Sequence, residues 1–229
     1  MTSNAAGGSA SRLSSRAVIV MAKRPAAGST KTRLIPAFSP QEAAEFYERL
    51  LFDTIDMLTA RDDCETIIAV DEPASVSYFD QSAPGLRQLP QGSGALGDRL
   101  ASVLSDALEL GFESVFAINS DGPDLPPEHL DAAFAQLDQP DIDVVLGPTD
   151  DGGYYLIGWR QPWSPMVTDV VMSTPDVLAD TLAITEKIGA RVALAPSWFD
   201  VDVPEDLDRL EQSVMGRSHS RTAAFFAAR

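Results

Sequence analysis

The chain has 229 residues, of which 45% are hydrophobic and 22% charged, values that are ordinary for one soluble globular domain. The formal net charge of -17 argues against a nucleic-acid partner, since duplex binding depends largely on Lys and Arg neutralising phosphates. A single cysteine excludes an intrachain disulfide, and no apolar run suits a membrane span or secretory signal, so we expect a cytoplasmic protein.

The first residues differ from the rest in composition. Residues 1–15 are rich in Ser, Ala and Gly, and we interpret them as a disordered extension. They also contain Arg12 and no acid, which leaves an organelle transit peptide as an alternative. The first acidic residue of the chain is Glu42, so the segment before it is basic.

Strand and helix signals then alternate along the chain. The apolar run AVIVM at 17–21 predicts a strand buried on both faces. Ser39, Pro40 and Glu42 supply an N-cap, a first-turn proline and a capping-box acid for a helix. Further strands are predicted at 66–70, 115–119, 144–146, 154–159 and 192–194, and further helices at 96–108, 127–137, 174–187 and 204–214.

This alternation predicts an α/β fold of three layers, in which helices flank a mostly parallel sheet. We assign 16–214 to one domain and expect 215–229 to form a loosely ordered tail, because this segment has little periodicity. The sequence carries no signal of oligomeric state.

Charged motifs follow the predicted strands, and carboxyl ends of parallel strands are where ligands bind in such sheets. The basic segment KRPAAGSTKTR follows the first strand, whereas acids occur in NSDGPD, PTDDGGYY and FDVDVPEDL. Carboxylates are hard ligands for a divalent metal, and basic groups pair with phosphate. Together these motifs predict a site for a phosphate ester bound with a divalent cation.

The basic segment is the predicted phosphate-binding element. Gly28 allows close backbone approach, Lys23 and Lys31 are mobile point charges, and Arg33 can contact phosphate oxygens with two donors. The order of residues in a P-loop is absent. The alternative interpretation is an exposed basic loop without a ligand.

The acidic motifs also allow structural interpretations. Asp121 directly follows a strand and is the favoured metal ligand, whereas Asp124 is equally suited to cap the next helix. Asp202 can be a second ligand or the N-cap of the last helix, and Asp150 with Asp151 can form a plain turn.

Several segments taken together resemble a known family. MAKRPAAGSTKTRL, INSDGPDLPPEHL, VVLGPTDDGGYYLIG, MSTPDVLADTL and DVDVPEDL are similar, in this order, to small bacterial GT-A-type proteins described as glycosyltransferases, including arsenosugar-biosynthesis types. The resemblance spans about 16–211. More distantly, KTRL and the strand-end aspartate are similar to phospholactate guanylyltransferases and sugar cytidylyltransferases.

The resemblance implies a nucleotide-diphospho-sugar transferase fold that uses Mg²⁺ or Mn²⁺. By position, Lys31 and Arg33 would bind phosphates, while Asp121 and Asp202, with Asp124 as a further candidate, would bind the metal. Residues 150–154 would shape the acceptor pocket through Asp150, Asp151, Gly152, Gly153 and Tyr154.

Three functions remain open from the sequence. The leading hypothesis is glycosyl transfer from a nucleotide sugar to a small acceptor, with Asp150 or Asp151 as the base. The first alternative is nucleotidyl transfer from a nucleoside triphosphate, which a second basic group in the acceptor pocket, such as Arg99 or Arg160, would favour. The second alternative is an inactive nucleotide-binding protein.

Overall fold

The structure is a computed structural model that describes residues 15–217 and 219–228. The predicted extension at 1–15 lies outside the described residues except for Ser15, whose carbonyl accepts a hydrogen bond from the Glu113 amide at 2.7 Å. Within the described ranges, none of the helices combines the length and the apolar character needed to cross a bilayer.

One seven-stranded sheet organises the fold, with the strand order β3-β2-β1-β4-β6-β5-β7. Every neighbouring pair is parallel except those made by β6, which runs antiparallel to β4 and β5. The prediction of a mostly parallel α/β sheet is confirmed. The strands are β1 Arg16–Ala22, β2 Glu65–Val70, β3 Arg87–Pro90, β4 Ser114–Asn119, β5 Val144–Pro148, β6 Tyr154–Trp159 and β7 Val192–Leu194.

Helices cover both faces of this sheet. They are α1 Pro40–Thr59, α2 Pro73–Ser82, α3 Leu96–Glu109, α4 Pro127–Leu137, α5 Pro165–Thr168, α6 Val177–Ile188, α7 Asp206–Val214 and α8 Arg221–Ala227, and a 3-10 turn spans Thr32–Leu34. The predicted capping box of α1 is present, since the Glu42 amide donates to Ser39 Oγ at 3.2 Å and the Ser39 amide donates to Glu42 Oε2 at 2.8 Å.

The burial of β1 explains why its residues 17–22 are all apolar. Val18 and Val20 face a core that includes α1 and α4, whereas Ala17 and Ile19 face a second core that includes α3. A strand buried on both faces cannot alternate polar and apolar residues. The loop after β1 therefore emerges from the centre of the sheet.

The reversed direction of β6 follows from the short connection before it. Only residues 149–153 join β5 to β6, and a parallel crossover needs a dozen residues or more. The two strands therefore form a hairpin, which places residues 149–153 at the same edge of the sheet as the loops after β1 and β4.

The C-terminal segment differs from our expectation of a loosely ordered tail at 215–229. Here α8 docks onto α1, whose buried Asp53 accepts hydrogen bonds from Ser220 Oγ at 2.7 Å and from the amides of Arg221 and Thr222 at 2.9 Å each. A carboxylate at a helix N-terminus satisfies unpaired amides there. This partner is far away in sequence, so the local pattern could not indicate it.

Candidate active site

Side chains from three strand-end segments meet at Lys31. Its ammonium group donates to the carboxylate of Asp121, to the Val201 carbonyl at 2.6 Å and to Asp202 Oδ1 at 2.9 Å. Arg33 lies beside them, with Nη1 at 3.6 Å from Asp202 Oδ2. The structure thus brings the predicted basic loop and the predicted metal ligands together.

The electrostatics of Lys31 are dominated by these two aspartates. The Lys31 side chain is only 7% exposed, and this burial alone would lower its pKa. The negative charges of Asp121 and Asp202 outweigh the burial and raise the pKa above its usual value. Lys31 is therefore a permanent cation. Its backbone lies in the left-handed region at φ 48°, a conformation that costs on the order of 1–3 kcal/mol in a non-glycine residue.

A third carboxylate, Asp200, lies next to this group. Asn119 Nδ2 donates to its two oxygens at 3.2 and 3.3 Å. Burial, followed by the negative charge of Asp121, raises the pKa of Asp200 to about 8. The sequence analysis had assigned only Asp202 of this pair to the site, although DVD spacing places both near the end of one segment.

These carboxylates fit a divalent cation that arrives with a phosphate ligand. Among residues 15–217 and 219–228, no three acidic, histidine or cysteine side chains form a ready metal cage. Mg²⁺ commonly takes one or two carboxylates and completes its shell with substrate phosphates and waters. Asp121 and Asp202 match this demand. Burial and then the negative charge of Asp121 raise the pKa of Asp200, and a bound cation would offset the second of these causes.

Two adjoining cavities open at this group. The larger has a volume of about 640 Å³ and the smaller about 300 Å³. Lys23, Arg33, Ser120, Asp121 and Asp202 line both of them. A cavity of this size with convergent charged groups is typical of a small-molecule site.

The smaller cavity is bounded by the basic loop. The loop residues 29–33 line it, together with Tyr47, whose hydroxyl lies 2.9 Å from Ser120 Oγ and accepts from the Lys23 amide at 3.1 Å. Gly28 precedes this wall at φ 77°, a conformation that suits glycine.

The turn between β5 and β6 supplies one wall of the larger cavity through Asp151, Gly153 and Tyr154. Asp151 Oδ1 accepts from Thr149 Oγ1 at 2.6 Å and from the Gly153 amide at 3.1 Å. Its second oxygen has no hydrogen-bond donor among the described residues. Gly152 lies at φ 89°, and a Cβ there would stand 1.9 Å from the Pro175 carbonyl oxygen.

Two predicted site carboxylates line neither cavity, and neither do the predicted glycines Gly28 and Gly152. Asp150 accepts from Arg209 at 2.6 Å, and the Arg209 guanidinium stacks over the Phe199 ring. Asp124 is fully buried and accepts from Ser213 Oγ at 2.5 Å and from the indole NH of Trp198 at 3.4 Å. We therefore remove Asp150 from the candidate bases and Asp124 from the candidate metal ligands.

A segment that the sequence analysis missed completes the larger cavity. Gln91 is buried at the end of β3, and its Nε2 donates to the carbonyls of Ala22 and Ala69 at 3.0 and 2.9 Å. Its Oε1 accepts from Arg99 at 3.2 Å. The sequence signal for this segment was the glycine-rich stretch QGSGALG, which leads into α3. β3 itself reads RQLP, which is too polar to be predicted as a strand.

Of the two basic residues considered for the acceptor pocket, only Arg99 lines the larger cavity. Arg160 instead donates to the carbonyls of Gln139 and Ile142 at 3.0 and 2.8 Å. These carbonyls precede β5, at the opposite edge of the sheet from the strand-end loops.

The fold and the placement of the site define a protein of the nucleotide-diphospho-sugar transferase class of folds. The chain belongs to the family described as "Uncharacterized protein conserved in bacteria (DUF2064)", which matches residues 54–174. A solved structure from Desulfovibrio desulfuricans G20, provisionally described as a nucleotide-diphospho-sugar transferase, is 27% identical with a TM-score of 0.85. The match covers 94% of this chain and 95% of the D. desulfuricans chain.

Curated relatives carry a more specific name. The chain is 30% identical to 2-phospho-L-lactate guanylyltransferase of Haloarcula marismortui and 28% identical to that of Methanosarcina barkeri. Each alignment covers 80% of this chain and 81% of the relative. These matches agree with the distant relationship that KTRL and the strand-end aspartate implied.

Proposed function

We propose that this protein is a metal-assisted nucleotidyltransferase that transfers a nucleoside monophosphate group from a nucleoside triphosphate to a small acceptor. The observation that carries this proposal is the pair of cavities separated by Lys23, Arg33 and the carboxylates of Asp121 and Asp202. A nucleotidyltransferase must hold a nucleoside and an acceptor on one side of the reacting phosphorus and a departing pyrophosphate on the other.

The smaller cavity suits the departing pyrophosphate. It is bounded by the basic loop 29–33, and its cations would neutralise charge that develops on the leaving group. The acceptor oxygen forms a bond to the α-phosphorus, the bond from that phosphorus to the bridging oxygen breaks, and pyrophosphate departs. Lys23 and Arg33, which line both cavities, would contact the reacting phosphate, and Lys31, which lines only the smaller cavity, would place its charge beside the departing pyrophosphate.

Asp121 and Asp202 would hold Mg²⁺ or Mn²⁺. When bound, the cation supplies Lewis acidity at the phosphate oxygens of the donor. The chain's own contribution is to keep both carboxylates in place, which Lys31 does through its hydrogen bonds to them.

Glycosyl transfer, the leading hypothesis from the sequence, remains the second candidate. It is favoured by the D. desulfuricans relative, whose description names a nucleotide-diphospho-sugar transferase. The guanylyltransferase relatives, which match across most of the chain, favour nucleotidyl transfer. The two reactions differ in the bond broken, because glycosyl transfer cleaves the sugar-to-phosphate bond and releases a nucleoside diphosphate.

The leaving group therefore distinguishes the candidates. The protein is incubated with each nucleoside triphosphate or nucleotide sugar, Mg²⁺ or Mn²⁺ and a panel of small acceptors, and the released phosphates are separated. Pyrophosphate release supports the proposal, whereas release of a nucleoside diphosphate from a nucleotide sugar would overturn it. Arg33→Ala should weaken triphosphate binding, and Arg24→Ala is the matched control because Arg24 is exposed and lines neither cavity.

A further inference from the structure

Lys31 uses all the hydrogens of its ammonium group on three partners. Its Nζ donates to Asp121 Oδ2, to Asp202 Oδ1 at 2.9 Å and to the Val201 carbonyl at 2.6 Å. A lysine ammonium group has three N–H donors and no acceptor. Because the side chain is also only 7% exposed, Lys31 loses these hydrogen bonds on leaving the position unless other acceptors replace them.

The ammonium group lies between the two carboxylates that we assign to the divalent cation. A cation that binds Asp121 Oδ2 and Asp202 Oδ1 together must lie between these oxygens, where Nζ of Lys31 already lies. The second oxygen of Asp202 also faces a cation, since Arg33 Nη1 lies 3.6 Å from it. Whichever oxygen of Asp202 a metal takes, it therefore meets a positively charged side chain.

A polyphosphate in the smaller cavity removes this conflict. Lys31 lines that cavity, where we place the departing pyrophosphate of the donor. Phosphate oxygens accept charge-assisted hydrogen bonds from an ammonium group, as carboxylates do, so Lys31 can turn from the aspartates to the donor. A metal ion that arrives alone offers the ammonium group no acceptor, and a buried charge without a partner is strongly disfavoured.

We propose that Lys31 competes with the divalent cation for Asp121 and Asp202, so that the cation binds tightly only together with a polyphosphate to which Lys31 turns. This inference rests on the proposed function, which supplies the polyphosphate. Lys31 is then a positioning residue for the cation. Its hydrogen bonds align the two carboxylates before the donor arrives, and its charge moves to the phosphates when the cation takes the carboxylates.

Manganese binding without nucleotide tests the competition. Calorimetric titration with Mn²⁺ alone compares wild type with Lys31→Met. Removing the competing ammonium group should tighten Mn²⁺ binding at least about tenfold, the factor that one charged hydrogen bond typically carries. Loss of a residue that only supported the carboxylates would weaken Mn²⁺ binding instead. Equal or weaker binding of Mn²⁺ alone by folded Lys31→Met would therefore overturn the inference.

Lys23→Met is the matched control for charge. Lys23 is exposed and lines both cavities. Its replacement removes one positive charge from the same region, so it measures the long-range effect of that charge on Mn²⁺ affinity. The gain in Lys31→Met should exceed the gain in Lys23→Met. Equal gains in the two variants would contradict the inference, because they would show a general charge effect.

Chemical labelling of the wild-type protein gives a second readout that needs no variant. The sequence has only three lysines, Lys23, Lys31 and Lys187, so reductive methylation followed by mass spectrometry resolves each of them. With a chelator present, Lys31 should react much more slowly than the exposed Lys187. Millimolar Mn²⁺ alone should accelerate the methylation of Lys31 and leave that of Lys187 unchanged. Lys31 that stays protected in millimolar Mn²⁺ would overturn the inference.

Failure of the proposed function has a different signature. ATP, CTP, GTP and UTP are each added with Mn²⁺, and a triphosphate that binds should raise the thermal midpoint of the wild-type protein by mass action. If none of them does, the donor site is misassigned, and the measurements with Mn²⁺ alone still decide the competition. If one of them does and Lys31→Met gains no Mn²⁺ affinity, only the competition is wrong.

Discussion

Replacing Asp200 with asparagine should remove a pH dependence from the stability of the protein. Burial and the nearby charge of Asp121 raise the pKa of Asp200 to about 8, whereas an aspartate in an unfolded chain titrates near about 3.9. Between these values the folded protein holds a proton that the unfolded chain lacks. The contribution of Asp200 to stability is therefore fully present below about pH 4 and is lost as the pH rises through about 8.

The expected magnitude follows from this one proton. Each pH unit inside the window lowers the free energy of unfolding by at most about 1.4 kcal/mol. From pH 5 to pH 7 the loss is therefore at most about 3 kcal/mol, which corresponds to at most roughly 6–12 °C in a domain of this size. Asparagine keeps the shape of the side chain and can still accept from Asn119, but it carries no charge, so this loss should disappear.

Thermal unfolding followed by circular dichroism at pH 5, 6 and 7, in buffer with a chelator, measures the effect. The control variant is Asp62→Asn, which changes an exposed carboxylate in the same way. Wild type and control should lose stability with rising pH more steeply than Asp200→Asn. Parallel curves for wild type and Asp200→Asn would refute the assignment of Asp200 as a buried, proton-holding carboxylate.

Three further substitutions test other parts of the site. Lys31→Met should lower the free energy of unfolding by on the order of 3 kcal/mol, because it leaves the carboxylates of Asp121 and Asp202 without their buried partner. It should also weaken triphosphate binding in calorimetry. Unchanged stability and affinity would contradict the role of Lys31 as the cation of this site. Asp124→Asn should destabilise the protein by about 1–3 kcal/mol, because its amide nitrogen would face a donor, yet leave Mn²⁺ affinity unchanged in the folded protein; a loss of Mn²⁺ binding would restore Asp124 as a ligand. Gly152→Ala should lower the free energy of unfolding by on the order of 1–3 kcal/mol or more, since the added methyl meets the Pro175 carbonyl oxygen at 1.9 Å and the backbone has φ 89°. It should also raise the acceptor KM. Wild-type stability and KM would contradict this prediction and show that the turn relaxes freely.

The parts of the fold that the sequence predicts are those determined by local pattern and deep burial. The sequence predicts β1 from its continuous apolar run and the start of α1 from the capping box formed by Ser39 and Glu42. Both predictions succeed because each signal lies within a few residues. β3 and α2 were missed. β3 is a short edge strand that contains Arg87 and Gln88 and, within the described part of the chain, pairs only with β2, so burial imposes little pattern on it.

The candidate site was predictable where a charged residue directly follows a buried strand. Asp121 and the basic loop met this condition, and the parallel sheet brought their segments together. Roles decided by distant partners were not predictable. Asp124 accepts hydrogen bonds from Ser213 and Trp198, which lie far away in sequence. Its motif alone does not distinguish a metal ligand from a buried carboxylate that stabilises the fold.

The central claim is that the basic loop and the strand-end aspartate act on the same bound polyphosphate. Calorimetric binding of GTP with Mn²⁺ to wild type, Arg33→Ala, Asp121→Asn and the double variant measures this directly. Groups that share one ligand should be coupled by about 1 kcal/mol or more, so the double variant should lose a different amount from the sum of the single losses. Losses that add within about 0.5 kcal/mol would show that the two groups act on separate ligands and would contradict the account.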